Sequence, residues 1–145
     1  SLRSRNGFVD EYGGSQYVPL QDRFFLGGTS TVRGYENRDI GPKAYEVTKN
    51  RHDDIAVGGS IRFVTNLELK YKLSDMLRLY TFLDSGGLWD DFSEISLGDT
   101  KHSLGLGFGV DIPGMGPMRV DYGFPINPDS DQGSGRLHLL TGLRF

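Results

Sequence analysis

Three glycines around one arginine make the most chemically suggestive stretch of this sequence. Gly27, Gly28 and Gly34 bracket Arg33 in a run that opens at Arg23-Phe24-Phe25 and continues through Thr29, Ser30, Thr31, Val32 and Tyr35. Glycines so placed favour a tight, preformed turn. Such a turn would present a guanidinium, whose planar fork binds carboxylates bidentately. Glu68 and Asp84 are its candidate partners, each on the polar side of a segment that alternates polar with apolar residues. If the two segments are antiparallel neighbours, both carboxylates line one surface and an arginine between them neutralises both. Losing it would leave buried carboxylates unpaired, at about 3–5 kcal/mol. Spacing alone equally allows Glu68 and Asp84 to be hydrated residues without such a partner.

Other chemistries lack their residues. The glycine-rich run has no Gly-Lys-(Ser/Thr) end for a phosphate loop, and no helix follows it. Residues 127–133 resemble a calcium loop only superficially, since the glycine falls one place late and the closing glutamate is misplaced. Asp53-Asp54 and Asp90-Asp91 read as solvated loop carboxylates, and His52, His102 and His138 show no ligand spacing. Ser30 sits in Thr-Ser-Thr, not in a nucleophile elbow. Cysteine is absent, which removes disulfides, thiolate metal sites and a cysteine nucleophile. The sequence therefore predicts no enzyme, no cofactor and no metal. A net charge of -3 without a basic run argues against a nucleic-acid partner.

The elements that would position these groups are strands. In residues 60–71, Ile61, Phe63, Thr65, Leu67, Leu69 and Tyr71 oppose Ser60, Arg62, Val64, Asn66, Glu68 and Lys70. Alternate residues of a strand point to opposite faces, so one face is apolar and the other mostly polar. Leu77, Leu79, Thr81, Leu83 and Trp89 likewise oppose Arg78, Tyr80, Phe82, Asp84 and Gly86. Leu104, Leu106, Phe108 and Val110 oppose Gly105, Gly107, Gly109 and Asp111, and Met118, Val120, Tyr122 and Phe124 oppose Arg119, Asp121 and Gly123. The last segment sets Leu137, Leu139, Thr141, Leu143 and Phe145 against Arg136, His138, Leu140, Gly142 and Arg144. A weaker strand lies within residues 2–12, which makes about six in all.

Short turns at Asp75 and at Pro113-Gly114-Met115-Gly116-Pro117 alternate with longer polar connections at 92–101 and 127–135. That asymmetry suits the two rims of an outer-membrane barrel. The connection over residues 13–58 is far longer than usual, a length that is commonly functional. No apolar run approaches the roughly 20 residues of a membrane-spanning helix. A mean hydropathy of -0.39 fits a water-soluble protein or a transmembrane barrel, whose two faces average out. Alternation likewise fits a soluble β-sandwich or small binding barrel, with the polar face in water. Gly105, Gly107 and Gly109 favour the membrane barrel, because small residues on the polar face let something pack closely against that wall.

The run from Arg23 to Lys43 resembles the loop of the BamA-type superfamily of outer-membrane assembly and translocation barrels, also called the bacterial surface antigen family. Val32-Arg33-Gly34-Tyr35 matches its Val-Arg-Gly-(Phe/Tyr) motif, with Gly27-Gly28 before it and Ile40-Gly41-Pro42 after it. Asn66-Leu67-Glu68, Phe82-Leu83-Asp84-Ser85-Gly86 with Trp89, and residues 114–122 resemble the strands that follow in that family. Nearly the whole chain is covered, in the family's order. The resemblance implies that Arg33 folds back into the lumen and pairs with Glu68 and Asp84. It also likens Leu137, Leu139, Thr141, Leu143 and Phe145 to the β-signal by which barrels are recognised for insertion, although any ordinary last strand would alternate the same way.

The expectation is thus an all-β, antiparallel transmembrane barrel portion, residues 1–145, in the bacterial outer membrane. It carries its last six or so strands and a long lumen-folded loop. Ser1-Leu2-Arg3-Ser4 reads like the middle of a strand, as in a trimmed piece. Known bacterial barrels have at least about eight strands, so this set would have open edges and would self-associate or belong to a longer protein. The resemblance implies insertion of unfolded barrel clients, with periplasmic or lipoprotein accessory subunits. A secretion pore of the same superfamily, of the two-partner type, is the alternative.

Overall fold

The structure is a computed structural model that describes residues 1–10, 18–48, 51–129 and 133–141. Its strands are β1 (Leu2–Phe8), β2 (Lys43–Thr48), β3 (Arg51–Ala56), β4 (Ile61–Lys72), β5 (Leu77–Trp89), β6 (Lys101–Ile112), β7 (Gly116–Pro125) and β8 (Arg136–Thr141). Six of them form one sheet in the order β1-β4-β5-β6-β7-β8, with every neighbouring pair antiparallel. The register places Asn66 opposite Asp84, Asp84 opposite Ser103 and Gly107 opposite Asp121.

Burial runs opposite to that of a water-soluble sandwich. Leu67, Leu83, Leu104, Leu106, Leu137 and Leu139 are 42–67% exposed, and no second sheet covers them among the described residues. The face that carries Asp84, Arg119 and Asp121 is the buried one. A contiguous apolar wall of this extent belongs against lipid, not water. The soluble-sandwich alternative fails on this observation, because it requires the leucine face to be packed against protein.

The long connection covers the polar face. Its Leu26, Val32, Tyr35 and Ile40 pack with Val64 of β4 and Leu88 of β5 into one buried cluster, with Phe24 at its margin. Paired backbone bonds between Phe24 and Gly59, at 2.9 Å each way, fix one end of the loop beside the residues that lead into β4. A bridge between Leu26 and Ile40 closes the intervening segment on itself. The connection is not irregular throughout. β2 and β3 form a hairpin of their own, which the sequence does not announce because Lys43–Thr48 and Arg51–Ala56 carry charges on both faces. Both sheet turns, at 73–76 and 113–115, are short, whereas the opposite rim bears the long connections. Within the connection at 92–101 lie two short 3-10 turns, Phe92–Glu94 and Leu97–Asp99. The final strand is described to Thr141, so Leu143 and Phe145 of the proposed β-signal lie outside the described residues.

Candidate functional site

Val32-Arg33-Gly34-Tyr35 touches five strands of the wall in four residues. Val32 is fully buried and faces Gly86 of β5, where an added Cβ would come within 2.7 Å of its Cγ2. Gly34 lies against Gly123 of β7, backbone to backbone. A Cβ at Gly123 would sit 2.6 Å from the Gly34 nitrogen, and Gly34 itself has φ +93°, which suits glycine. The Gly34 N–H donates to His138 Nε2 of β8 at 2.9 Å. Tyr35 donates its hydroxyl to the His102 carbonyl of β6 at 3.1 Å and lies 3.4 Å from Asn127 Oδ1. Burial pushes that phenol up to about 12, against the opposing effect of the Asn127 backbone.

Arg33 is the centre of the arrangement. Its Nε and Nη2 donate to the two oxygens of Asp84 at 2.7 and 2.8 Å, a bidentate fork. Nη1 donates to Glu68 Oε2 at 3.0 Å and to Asp121 Oδ2 at 2.9 Å. Its backbone N–H adds a bond to Asp84 Oδ2 at 3.1 Å. The guanidinium also lies over the Phe82 ring, 3.5 Å from the centroid. Burial alone would disfavour its charge. The hydrogen bonds and charge of Asp84, with the bonds to Asp121 and Glu68, outweigh that and raise its pKa above the ordinary value.

The structure thus places Arg33 between Glu68 and Asp84 and brings in groups that sequence reasoning missed. Arg119 donates to Glu68 Oε2 and to Asp121 Oδ1, both at 2.6 Å. Arg33, Glu68, Arg119 and Asp121 therefore close a ring, with Asp84 attached through Arg33. Three carboxylates face two guanidiniums, and Lys70 Nζ stands 3.7 Å from Glu68 Oε1. The alternation of β7 had already put Arg119 and Asp121 on the polar face, and that was the available signal. His138 carried no comparable signal, since its role depends on where the Gly34 N–H comes to rest.

The glycines of β6 make room for the ring. Asp84 on β5 and Asp121 on β7 are separated by β6, where the intervening residues are Ser103, Gly105 and Gly107. A Cβ at Gly107 would fall 2.0 Å from Asp121 Oδ1, and one at Gly105 would fall 2.1 Å from the Phe82 ring. Phe82 and Asp121 lean over β6 from either side, and the guanidinium rests on top. Tyr80 repeats the pattern next to Gly109, with Arg119 lying 3.8 Å above its centroid. Each of the three carboxylates accepts from at least one guanidinium, so the arrangement acts as a clasp. Gly27 and Gly28 shape the turn that delivers it: the Gly27 N–H donates to Thr31 Oγ1 at 2.9 Å and the Gly28 N–H to the Val32 carbonyl at 3.2 Å.

The Omp85 superfamily domain matches residues 1–145. The outer membrane protein assembly factor BamA of Nitratidesulfovibrio vulgaris is 36% identical over 148 residues, which cover 99% of this chain and 18% of that protein. BamA of Neisseria meningitidis is 25% identical, over 96% of this chain and 21% of that protein. The chain therefore spans about a fifth of the length of these relatives. The crystal structure of BamA from Haemophilus ducreyi lacking POTRA domains 1-3 superposes with a TM-score of 0.74, over 95% of this chain and 30% of that one, at 22% identity. That likeness carries the fold: the six-stranded sheet is a portion of an antiparallel barrel of the same kind. By a family match over residues 1–145, and with 99% of its length aligned to a relative at 36% identity, this chain belongs to the Omp85 superfamily.

Proposed function

We propose that this chain is the C-terminal barrel region of an assembly factor that inserts and folds β-barrel proteins into the bacterial outer membrane. The observation that carries the reading is the clasp: one guanidinium holds the long loop to carboxylates from β4, β5 and β7. The names of the relatives support the activity. The mechanism is templating without a chemical step. An unfolded client strand pairs with an exposed strand edge of the barrel, and backbone hydrogen bonds supply the pattern. The clasp keeps the wall rigid while an edge opens. Accessory periplasmic or lipoprotein subunits act through parts of the protein outside this chain. The alternating residues Leu137, Leu139, Thr141, Leu143 and Phe145 serve as the chain's own insertion signal.

The test uses the complete protein in lipid vesicles and a urea-unfolded barrel client. Wild type accelerates the appearance of folded client, and Arg33→Ala slows it or lowers the stability of the barrel itself. An Arg33→Ala protein that folds normally and assembles clients at the wild-type rate refutes the bracing role. Vesicles that conduct a secreted partner but do not fold clients would favour a pore instead.

A further inference from the structure

Residues 30–36 of the long connection cross the whole sheet, from one edge strand to the other. Arg5 of β1 donates to the Ser30 carbonyl, and Asn66 Nδ2 of β4 donates to the Thr31 carbonyl at 2.7 Å. Arg33 holds β5 and β7, and Tyr35 reaches β6. Two contacts hold β8: the Gly34 N–H donates to His138 Nε2 at 2.9 Å, and Glu36 pairs with Arg136. The first is the firmer, because Gly34 is buried, whereas Glu36 and Arg136 are exposed and such pairs contribute little. β8 depends on a hold of this kind. It pairs with β7 only from Met118 to Gly123, and no strand covers its other edge among the described residues.

We infer that His138 is a proton-operated latch, which ties β8 to the loop while neutral and releases it when protonated. The hydrogen bond itself requires the neutral ring. Nε2 accepts from Gly34, so it carries no proton, and the single ring proton sits on Nδ1. A second proton, on Nε2, would set N–H against N–H and leave the buried Gly34 donor without an acceptor. Charged groups face the ring from each element packed on it: Arg33 and Glu36 of the loop, Asp84 of β5, Arg119 and Asp121 of β7, and Arg136 of β8 itself. Asp121 stands opposite His138 in the register. The carboxylates do not make up for the lost bond. Both oxygens of Asp84 and both of Asp121 already accept from guanidiniums, and Glu36 is paired with Arg136. Histidine is the side chain whose ordinary charge change falls between pH 5 and 8, and His138 is only half-buried, on the lumen side, where protons reach it. The inference goes beyond the assembly reading and stands whatever passes along the barrel, because it concerns only how the loop holds β8.

The experiment uses the complete protein in lipid vesicles, with cysteines outside this chain replaced by serine. This chain has no cysteine of its own, so Asn37→Cys and Leu137→Cys take one spin label each. Both positions are exposed, one on the loop and one on β8. Pulsed dipolar spectroscopy gives the distribution of loop-to-strand distances at pH 8 and at pH 5, either side of the ordinary histidine range. With His138 present, the distribution is narrow at pH 8, and the share of longer distances rises at least about fivefold at pH 5, as loss of one buried hydrogen bond implies. His138→Gln keeps an acceptor in reach but does not titrate, so its distribution stays narrow at pH 5. His138→Arg offers only donors and gives the broad distribution at pH 8 as well. A distribution that does not change with pH while His138 is present overturns the inference. So does a His138→Gln protein that broadens at pH 5 as the parent does, since another group is then the one that titrates. A His138→Arg protein that stays docked at pH 8 overturns it too, because the loop then needs no acceptor on β8.

Discussion

Asp121→Asn isolates the part of the clasp that no loop-to-strand spacing suggested. Asp121 is fully buried and accepts from both guanidiniums, Arg33 Nη1 at 2.9 Å and Arg119 Nε at 2.6 Å. Asparagine keeps the shape but has one carbonyl oxygen. Whichever arginine it serves, its amide group then points N–H donors at the other. One charge-assisted bond, worth about 1.5–3 kcal/mol, is lost, and the survivor falls to about 0.5–1.5 kcal/mol as its acceptor becomes neutral. Relief of repulsion among three carboxylates offsets part of this, leaving a net loss of about 2–4 kcal/mol. Against a total stability of roughly 5–15 kcal/mol that is a large fraction. Urea unfolding of the complete protein in lipid vesicles reads it directly. Asp75→Asn is the control: its side chain is 94% exposed in a pair with Lys72, and such pairs are worth about 0–1 kcal/mol. If Asp121→Asn unfolds at the same urea concentration as Asp75→Asn, the ring of charges contributes nothing and the reasoning is wrong.

Gly123→Ala places a methyl group 2.6 Å from the Gly34 nitrogen, so the loop should lift from β7. Faster protease cleavage within residues 18–40, with the sheet intact, is the expected result; unchanged cleavage counts against backbone-to-backbone docking. His138→Leu removes the acceptor of the Gly34 N–H and should cost about 1–3 kcal/mol, as an unsatisfied buried donor does, in the same urea measurement. Arg33→Lys keeps one charge but not the fork over three carboxylates, so it should recover less than half of what Arg33→Ala loses. Tyr35 gives a pH test. Its phenol is raised from 10.0 to about 12 in the fold, so between those values the unfolded chain has lost a proton that the folded one keeps. The stabilisation is present below pH 10 and lost as pH climbs through 12, so Tyr35→Phe should flatten the stability curve there relative to wild type.

The sheet was legible because its strands alternate without interruption. Ile61, Phe63, Leu67 and Leu69 against Arg62, Asn66, Glu68 and Lys70 announce a strand and assign its faces in one reading. What alternation could not say is which face is buried. That depends on what the long connection covers, and only the placement of Val32, Arg33 and Tyr35 against the polar side decides it. The hairpin β2–β3 stayed invisible because strands polar on both sides have no period-two contrast. Within the clasp, Glu68 and Asp84 share a face by alternation, but their pairing with Arg33 rested on family resemblance. Asp121 and Arg119 were missed because they lie far along the chain. Two strands separate β7 from β4, and nothing local shows that Gly105 and Gly107 leave β6 bare enough for Arg33 to reach across it.

The central claim is that the loop is held by charge pairing between Arg33 and the wall, chiefly through Asp84. A double-mutant cycle on the complete protein tests it, combining Arg33→Ala with Asp84→Ala and measuring the unfolding free energy in lipid vesicles. With both oxygens of Asp84 engaged by one guanidinium, the loss in the double mutant should fall short of the sum of the two single losses by about 2–3 kcal/mol. Losses that add to within about 0.5 kcal/mol would show that the two residues do not act on each other, and the account would fall.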